Sequence, residues 1–346
     1  MIEKPLVSII ILNFNGKDFL ERCISSVLES DYDNFEVLFV DNCSTDGSVN
    51  FVKENFKDPR IHIIENNRNY GVPGGRNIGL EKTKGEYIVF LDNDTEVDKF
   101  WLNGLLEVLI NDKNAGLAGS KLLNMGQRNR FEHTGDYLTP FGFISERSGR
   151  ELDRGQFDKL EEIFSCKGAC FMTRRSIFDE VGAFDSDYFM YLEETDFCWR
   201  VWLRGYRVVF AYKSLVWHAF MTVLKEHKRY YSNYVIRYYG SRNYITTLIK
   251  NLGPDNLLSM LTLHILSWLG ISLFFVFKGQ FLDGFWILKG ITWNIFNLRY
   301  VLNKRAEVQN KVRRVKDEQF FKSIIFKRPL SYYLFKTLAY ISNREF

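Results

Sequence analysis

Two aspartates separated by one residue, Asp92 and Asp94, carry the clearest chemical signal in the sequence. They directly follow the apolar run EYIVFL at 86–91, which is typical of a buried strand. Because side chains alternate in extended backbone, both carboxylates are predicted to point the same way at the carboxyl edge of a sheet. Such oxygen ligands suit Mg²⁺ or Mn²⁺, which proteins hold with carboxylates and substrate phosphates. The alternative is a turn or a helix cap, where Asp and Asn are common.

Another acidic residue, Asp41, follows the apolar run FEVLFV at 35–40 and is expected at the same edge. A carboxylate there can accept a hydrogen bond from the imide N–H of a nucleobase. Asp46, a few residues later, is predicted instead to cap the helix that follows.

The segment NYGVPGGRNIG, from Asn69 to Gly79, has the glycines of a phosphate-binding loop. It matches neither G-x-G-x-x-G nor G-x-x-x-x-G-K-[ST], so nicotinamide dehydrogenases and P-loop enzymes are disfavoured. We expect a helix to begin near Gly75, where backbone N–H groups and Arg76 would meet a nucleotide diphosphate.

Acidic residues open another predicted helix, which begins near Glu193 and ends at Gly205. Glu193 and Glu194 are adjacent and face different directions, so one can act as a general base while the other braces the turn. Asp196 is predicted to pair with Arg200 on the same helix face.

A histidine, His218, follows the last predicted strand segment of this part of the chain. It is a candidate ligand for a metal or a phosphate. The alternative is a core histidine whose ring nitrogens are satisfied by hydrogen bonds.

Alternating strand and helix signals must position these side chains. Strands are predicted at 6–12, 35–40, 61–64, 86–91, 170–173 and 207–212, with helices at 18–29, 47–56, 75–82 and 99–111. The pattern predicts a mostly parallel α/β sheet flanked by helices, in which ligands bind beyond the carboxyl ends of the strands. Residues 131–155 read as an irregular connection or a small antiparallel excursion.

Length and composition fit two domains of a globular protein. The 346 residues are 46% apolar and 25% charged, which excludes wholesale disorder and a collagen-like repeat. Five cysteines without a C-x-x-C pair favour neither a disulfide framework nor a zinc cluster, and a start that lacks signal-peptide character predicts an intracellular protein.

Charge divides the chain unevenly. Residues 1–224 contain 35 Asp and Glu against 26 Lys and Arg, whereas residues 225–346 contain seven against 20. We therefore predict a catalytic domain at 1–224 and a basic, aromatic-rich helical region at 225–346. Such a basic region favours an anionic partner.

Taken in order, the motifs between about Pro5 and Lys250 resemble those of the family 2 inverting glycosyltransferases with the GT-A fold, particularly the rhamnosyltransferase-like members. Each motif is weak alone, and the ordered set is specific. The motifs lie at 7–16 (VSIIILNFNG), 41–47, 69–79, 92–94, 168–170, 181–185, 191–200, 218 and 242–243.

The resemblance implies roles for individual residues. Asp41 would contact the nucleobase, Asp94 would coordinate the metal with Asp92 nearby, and the second acid of the Tyr191 block would be the base. That acid is Glu194, where the family more commonly has Asp, so Glu193 is the alternative. His218 completes the candidate metal set. The candidate donor-binding residues are Asn13, Asn15, Asp41, Asn69, Gly71, Arg76, Asn77, Asp92 and Asn93.

The function so predicted is transfer of one sugar from a nucleoside diphosphate sugar to a hydroxyl acceptor, with Mg²⁺ or Mn²⁺ and with inversion. The acceptor is expected to be a saccharide or a lipid-linked glycan. The rivals are a processive polysaccharide synthase, a nucleotidyltransferase and a non-catalytic sugar-nucleotide-binding scaffold. The first would carry a Gln-x-x-Arg-Trp element after the base, and the sequence QRNRF at 127–131 comes too early and lacks Trp.

The C-terminal region is expected to lie on an anionic membrane, at its cytoplasmic face. Residues 257–277 contain no Asp, Glu, Lys or Arg and are long enough to span a bilayer, although Ser, Thr and His dilute them. The aromatic segment at 281–302 suits an interfacial helix, and a basic cluster follows at 304–316. The alternative is a soluble helical hairpin packed on the catalytic domain or, in a homo-oligomer, on a second copy. Nucleic acid is the weaker partner for this charge.

Overall fold

The computed structural model describes residues 4–219 and 233–325, which form two compact units. The first comprises residues 4–136, 146–219 and 311–315, and the second comprises 137–145, 233–310 and 316–325. The domain boundary predicted after Leu224 lies outside the described residues, so that division stays a prediction.

The first unit is an α/β sheet with helices on both faces. Its strands and those of the connecting segment are β1 (Val7–Asn13), β2 (Phe35–Asp41), β3 (Ile61–Glu65), β4 (Tyr87–Asp92), β5 (Thr95–Val97), β6 (Ala115–Asn124), β7 (Gln127–His133), β8 (Asp136–Leu138), β9 (Ile144–Glu146), β10 (Glu161–Glu162), β11 (Cys170–Arg174) and β12 (Arg207–His218). Its helices are α1 (Lys17–Leu28), α2 (Ser48–Asn55), α3 (Gly71–Lys82), α4 (Trp101–Asn111), α5 (Arg175–Val181) and α6 (Glu193–Arg204).

The main sheet has the strand order β10-β12-β6-β11-β4-β1-β2-β3. Strands β3, β2, β1 and β4 are parallel, and β12 is parallel to β6. β11 runs antiparallel between β4 and β6. The predicted mostly parallel sheet is therefore confirmed, with an antiparallel strand inside it.

The apolar runs form strands because both of their faces are buried. Val7, Ile9 and Ile11 of β1 pack into one core with residues of α1 and α4. On the opposite face, Phe90 of β4 lies in an aromatic cluster that includes Phe184 and reaches Phe197 of α6. This cluster holds α6 against the sheet and therefore fixes the position of the first residues of α6.

The structure corrects two sequence assignments around the centre of the sheet. β6 was not predicted, because its sequence AGLAGSKLLN is rich in small residues, yet it is a central strand. Its glycines allow close packing, since a side chain at Gly119 would collide with Cys166. β12 was predicted to end at Tyr212, and it continues past a register shift to His218.

The helix predicted to begin near Gly75 begins at Gly71 instead. Pro73 lies in the first turn, where a residue without an N–H breaks no helical hydrogen bond. Gly71 has a φ of +73°, and a side chain there would collide with the backbone of Phe189.

The expected antiparallel excursion is present. β7 pairs antiparallel with β6, and β8 and β9 pair as a separate two-stranded sheet. β7 places residues from this segment beside the end of the main sheet.

The second unit is helical, with α7 (Asn233–Asn251), α8 (Pro254–Phe277), α9 (Phe281–Phe296), α10 (Leu298–Glu307) and α11 (Asp317–Ile324). Its core includes Ile245, Trp268 and Ile287. Arg305, one of the predicted basic cluster, donates to the carbonyls of Ile249 and Leu252 at the end of α7.

Within the described residues, α8 is the one helix long and apolar enough to cross a membrane. The 18-residue window of α8 that meets this criterion has a mean hydropathy of 2.0, and 33% of that window is buried. Large apolar side chains are exposed along α8 and α9, including Phe277 (87% exposed) and Phe281 (66%).

Candidate active site

Three neighbouring strands end in polar residues at the carboxyl edge of the sheet. In the strand register, Asn13 of β1 lies opposite Asp41 of β2, and Leu12 lies opposite Asp92 of β4. Asn13 Nδ2 donates to Asp41 Oδ1 over 2.8 Å, and Asn93 Nδ2 donates to Asn13 Oδ1 over 2.6 Å. The structure thus brings three of the predicted residues, Asn13, Asp41 and Asn93, together in one hydrogen-bonded row, with Asp92 beside it in the strand register.

Asp41 is held firmly at this edge. Its Oδ2 accepts from the Ser44 backbone N–H, and its Oδ1 accepts from the Ser44 hydroxyl. Asn15 contributes to the same loop, since its backbone N–H donates to Ser44 Oγ and its Oδ1 accepts from the Thr45 N–H. These bonds fix the turn that follows β2.

The loop between β3 and α3 is organised by Asn42, which sequence reasoning did not single out. The buried Asn42 side chain donates to the Gly71 carbonyl (2.9 Å) and to Asn69 Oδ1 (3.2 Å), and it accepts from Asn66 Nδ2. Asn69 Oδ1 also accepts from the Gly71 N–H. Asn69 and Gly71 therefore shape the start of α3.

Asp92, Asp94 and His218 form a cluster that can hold a divalent cation. One ligand atom from each residue lies within 4.8 Å of the others. His218 Nε2 is 3.1 Å from Asp94 Oδ1, because β12 pairs with β5 and places His218 opposite Thr95. Two carboxylates and an imidazole are a donor set suited to Mn²⁺ or Mg²⁺.

The charge state of His218 follows from its surroundings. Burial alone lowers the pKa of His218, but the carboxylates of Asp94 and Glu132 outweigh burial and raise that pKa to about 10. Glu132 lies on the other side of the ring, with each carboxylate oxygen 2.8 Å from His218 Nδ1. Lys167 donates to Glu132.

Arg76 lies in the interior next to the predicted metal and base residues. Its buried guanidinium donates to Asp92 Oδ1 and to the Gly168 carbonyl, each over 2.8 Å, and lies 3.4 Å from Glu193 Oε1. The expected contact between Arg76 and a diphosphate stays a prediction. In the structure, the Arg76 side chain joins the carboxyl groups of Asp92 and Glu193, which burial would otherwise destabilise.

Glu193 and Glu194 differ in their surroundings. Glu193 is buried beside Arg76, whereas Glu194 is partly exposed. Among the described residues, Oε2 of each glutamate is buried without a hydrogen-bond partner. Burial and the neighbouring Glu194 raise the pKa of Glu193 to about 8, and burial also raises the pKa of Glu194. Carboxyl groups with raised pKa values and spare acceptor atoms are typical of functional sites.

A strained turn delivers these glutamates. Phe189, Tyr191 and Leu192 have positive φ values of 58°, 66° and 68°. Holding a non-glycine residue in this left-handed region costs about 1–3 kcal/mol. Such a conformation persists only where packing imposes it, and it clusters at functional sites. Asn15 and Cys43, at the strand-end loops of the same unit, also have positive φ.

Asn77 lies on α3 and bonds to the segment that precedes α6. Its Nδ2 donates to the Phe184 carbonyl and its Oδ1 accepts from the Phe184 N–H, so it ties α3 to the segment before α6. With Asn69, Tyr70 and Phe189 it lines an open groove. Its contact with a donor stays a prediction.

Sequence reasoning missed Glu132 and Lys167. Neither residue follows a recognisable strand end or belongs to a spaced motif. Glu132 reaches the site through the pairing of β7 with β6, and Lys167 lies in the segment that leads into β11. The neighbouring Gly168–Cys170 motif was the one available signal, and it marks the backbone that accepts from Arg76.

Comparison with known sequences gives a family match and partial relatives. The family described as Glycosyl transferase family 2 matches residues 8–182, about half of the chain. The putative teichuronic acid biosynthesis glycosyltransferase TuaG of Bacillus subtilis is 38% identical over 108 residues, which cover 31% of this chain and 43% of TuaG. The UDP-Glc:α-D-GlcNAc-diphosphoundecaprenol β-1,3-glucosyltransferase WfaP of Escherichia coli is 43% identical over 89 residues, 26% of this chain and 35% of WfaP. The matches thus span less than half the length of these curated relatives.

Comparison with solved structures bears on the fold. The mannosyltransferase PcManGT from Pyrobaculum calidifontis, in complex with GDP-Man and Mn²⁺, superimposes with a TM-score of 0.53 at 16% identity. The superposition covers 89% of this chain and 86% of PcManGT. The chain therefore has the GT-A fold that the sequence resemblance implied.

Proposed function

Because the chain belongs to glycosyl transferase family 2, we propose that it is a metal-dependent, inverting glycosyltransferase. It moves one sugar from a nucleoside diphosphate sugar to a hydroxyl acceptor. One observation carries this proposal: a cluster of two carboxylates and an imidazole lies in the same unit as Glu193 and Glu194, whose Oε2 atoms have no hydrogen-bond partner among the described residues, and Arg76 joins Asp92 to Glu193.

Asp92, Asp94 and His218 would hold Mg²⁺ or Mn²⁺. When bound, the cation supplies electrostatic stabilisation of charge on the leaving diphosphate. The Pyrobaculum mannosyltransferase that shares the fold was solved with Mn²⁺ and GDP-Man, which supports this assignment. Arg76 keeps Asp92 in place by donating to its Oδ1.

Glu194 is the general base in this proposal. Glu193 is tied to Arg76, whereas Glu194 is partly exposed and has a spare acceptor oxygen among the described residues. Glu194 removes the proton from the acceptor hydroxyl as that oxygen attacks the anomeric carbon. The diphosphate leaves from the opposite face, so one displacement inverts the configuration without a covalent enzyme intermediate.

The donor nucleotide binds along the strand ends. Asp41 accepts from the nucleobase imide, while Asn13 and Ser44 hold its carboxylate in position. A uracil, thymine or guanine base offers such an imide N–H, and adenine or cytosine does not. Asn15, Asn69, Gly71, Asn77 and Asn93 complete the proposed donor site.

A lipid-linked glycan is the proposed acceptor, with a free saccharide as the alternative. WfaP, whose name records a diphosphoundecaprenol-linked acceptor, is among the relatives of this chain. The exposed apolar side chains of α8 and α9 support attachment to an anionic membrane at its cytoplasmic face, peripherally or with α8 inserted.

A donor and acceptor panel tests the proposal. The full chain is incubated with UDP-, GDP- and dTDP-linked sugars and an undecaprenyl-diphosphate-linked saccharide, in Mn²⁺ or in EDTA. We expect release of a nucleoside diphosphate and addition of one sugar in Mn²⁺ alone. Release of a sugar 1-phosphate, with transfer of the nucleotidyl group, would indicate a nucleotidyltransferase. A ladder of products would indicate a processive synthase, and absence of turnover with every donor would indicate a binding scaffold.

A further inference from the structure

We propose that Glu132 is a positioning residue that holds the His218 imidazole with its Nε2 turned toward Asp94 and the cation. The inference rests on the proposed function, because it concerns the residues that would bind the metal. Glu132 itself does not contact Asp94, and it acts through His218.

The geometry places the two carboxylates on opposite edges of one ring. Both oxygens of Glu132 lie 2.8 Å from His218 Nδ1, and Asp94 Oδ1 lies 3.1 Å from Nε2. A carboxylate can only accept at Nδ1, so Nδ1 keeps its proton, and Nε2 is the nitrogen that can give up its proton and bind a cation. Carboxylates that fix a ligating histidine in this way orient the ring and raise its basicity.

Burial protects the contact between Glu132 and His218 from water. Glu132 is 6% exposed and His218 is 3% exposed, so water competes weakly for either group. The Lys167 ammonium and the His218 imidazole both contact the Glu132 carboxylate, so its oxygens are held as acceptors on this side of the ring.

Lys167 explains how a third carboxylate, that of Glu132, is tolerated near Asp92 and Asp94. Its ammonium donates to Glu132 Oε1, while the next residue, Gly168, accepts from Arg76. A buried carboxylate that lost this partner would be strongly destabilised. If Glu132 had only a structural role, its ion pair with Lys167 would be enough to compensate its charge. Both Glu132 oxygens also face the His218 imidazole.

The test is calorimetric titration of the full chain with Mn²⁺ alone. Glu132→Gln is expected to weaken Mn²⁺ binding about 10- to 100-fold, the usual cost of losing such a partner. Glu132→Gln combined with Lys167→Met keeps the local net charge unchanged and should show the same loss. Restored affinity in this pair would mean that charge alone is responsible, which overturns the positioning role.

A double-mutant cycle separates action through His218 from a general effect. In a His218→Ala background, Glu132→Gln should cause no further loss of Mn²⁺ affinity. An equal loss with and without His218, or wild-type affinity in Glu132→Gln while His218→Ala binds weakly, contradicts the proposal. Should Glu132→Gln fail to fold, Glu132→Asp applies the same test, because it keeps the charge and withdraws the carboxylate by one methylene.

Two further variants complete the design. Glu36→Gln is the matched control, since Glu36 is another buried glutamate of the same unit and is hydrogen-bonded to Ser8. It should bind Mn²⁺ like the wild type, and a matching loss would overturn the proposal. Asp94→Ala tests the cation site itself: unchanged affinity in this variant defeats the proposed metal site, whereas weak binding in Asp94→Ala with normal binding in Glu132→Gln defeats the positioning role only.

Discussion

His218 Nε2 lies 3.1 Å from Asp94 Oδ1, so the end of β12 and the tripeptide after β4 form one site. The pairing of β12 with β5 enforces this approach, because it sets His218 opposite Thr95, the residue after Asp94. The proposed cation ligands are thereby fixed by sheet register, and side-chain substitutions there are expected to change function more than folding.

Asp94→Ala should abolish turnover and weaken nucleoside diphosphate binding in Mn²⁺, because it removes a ligand of the proposed cation. The free energy of unfolding should remain close to that of the wild type. Asp179→Ala, an exposed position on α5, is the control and should be fully active. Turnover at the wild-type rate in Asp94→Ala would refute the metal role of this residue.

Glu194→Gln should lower the transfer rate by about 10²- to 10⁴-fold, the usual scale for loss of a general base, because it keeps the shape and removes the proton acceptor. Donor binding, measured by titration calorimetry, should be preserved. Glu193→Gln is the paired variant. If it is the inactive one and Glu194→Gln is not, the two roles must be exchanged.

The stability of the cation-free protein should fall as pH rises through about 8. Burial, followed by Glu194, raises the folded-state pKa of Glu193 to about 8 from an ordinary value of 4.5. Between these values the folded state retains a proton that the unfolded state has lost, so the contribution is complete below pH 4.5 and is lost as pH approaches 8. The charged groups that face the Glu193 carboxyl are those of Arg76, Asp92 and Glu194, and all three are left unchanged in the variant used for the test.

Urea unfolding between pH 5 and pH 9 measures this effect. Glu193→Gln lacks the titrating carboxyl group, so its free energy of unfolding should fall less steeply with pH than that of the wild type. Parallel curves for the two proteins would show that Glu193 has an ordinary pKa in the folded state.

Membrane attachment should depend on the exposed aromatic residues around the α8–α9 turn. The full chain is expected to float with anionic liposomes at low salt, and replacing both Phe277 and Phe281 by Ser should reduce binding roughly tenfold or more per side chain, since burying a Phe gains about 1.5–3 kcal/mol. Phe100→Ser, at a 54% exposed position of the first unit, is the control and should float normally. Recovery of the full chain in the soluble fraction would rule out this attachment.

The strand-end residues were predictable because period-two alternation and buried apolar runs are local properties. Asn13, Asp41, Asp92 and Asp94 each follow such a run, and the structure places all four at one sheet edge. The rule that ligands bind at that edge then predicted a candidate site there without any knowledge of contacts.

Other features depend on tertiary packing and have no local signal. β6 is rich in Gly and Ala and is a strand because its neighbours bury it. Glu132 lies 86 residues before His218, and the pairing of both β7 and β12 with β6 brings them together. Arg76 was expected to meet a nucleotide diphosphate, which stays a prediction, and its burial between Asp92 and Glu193 had no local signal in the sequence.

The stereochemistry of a single transfer tests the central claim most directly. Proton NMR of the product formed from an α-linked nucleotide sugar, in Mg²⁺ and in EDTA, reports the anomeric configuration and the cation requirement together. We predict a β-linked product carrying one added sugar in Mg²⁺ and unreacted donor in EDTA. An α-linked product, or equal transfer in EDTA, would contradict the assignment of a metal-dependent inverting glycosyltransferase.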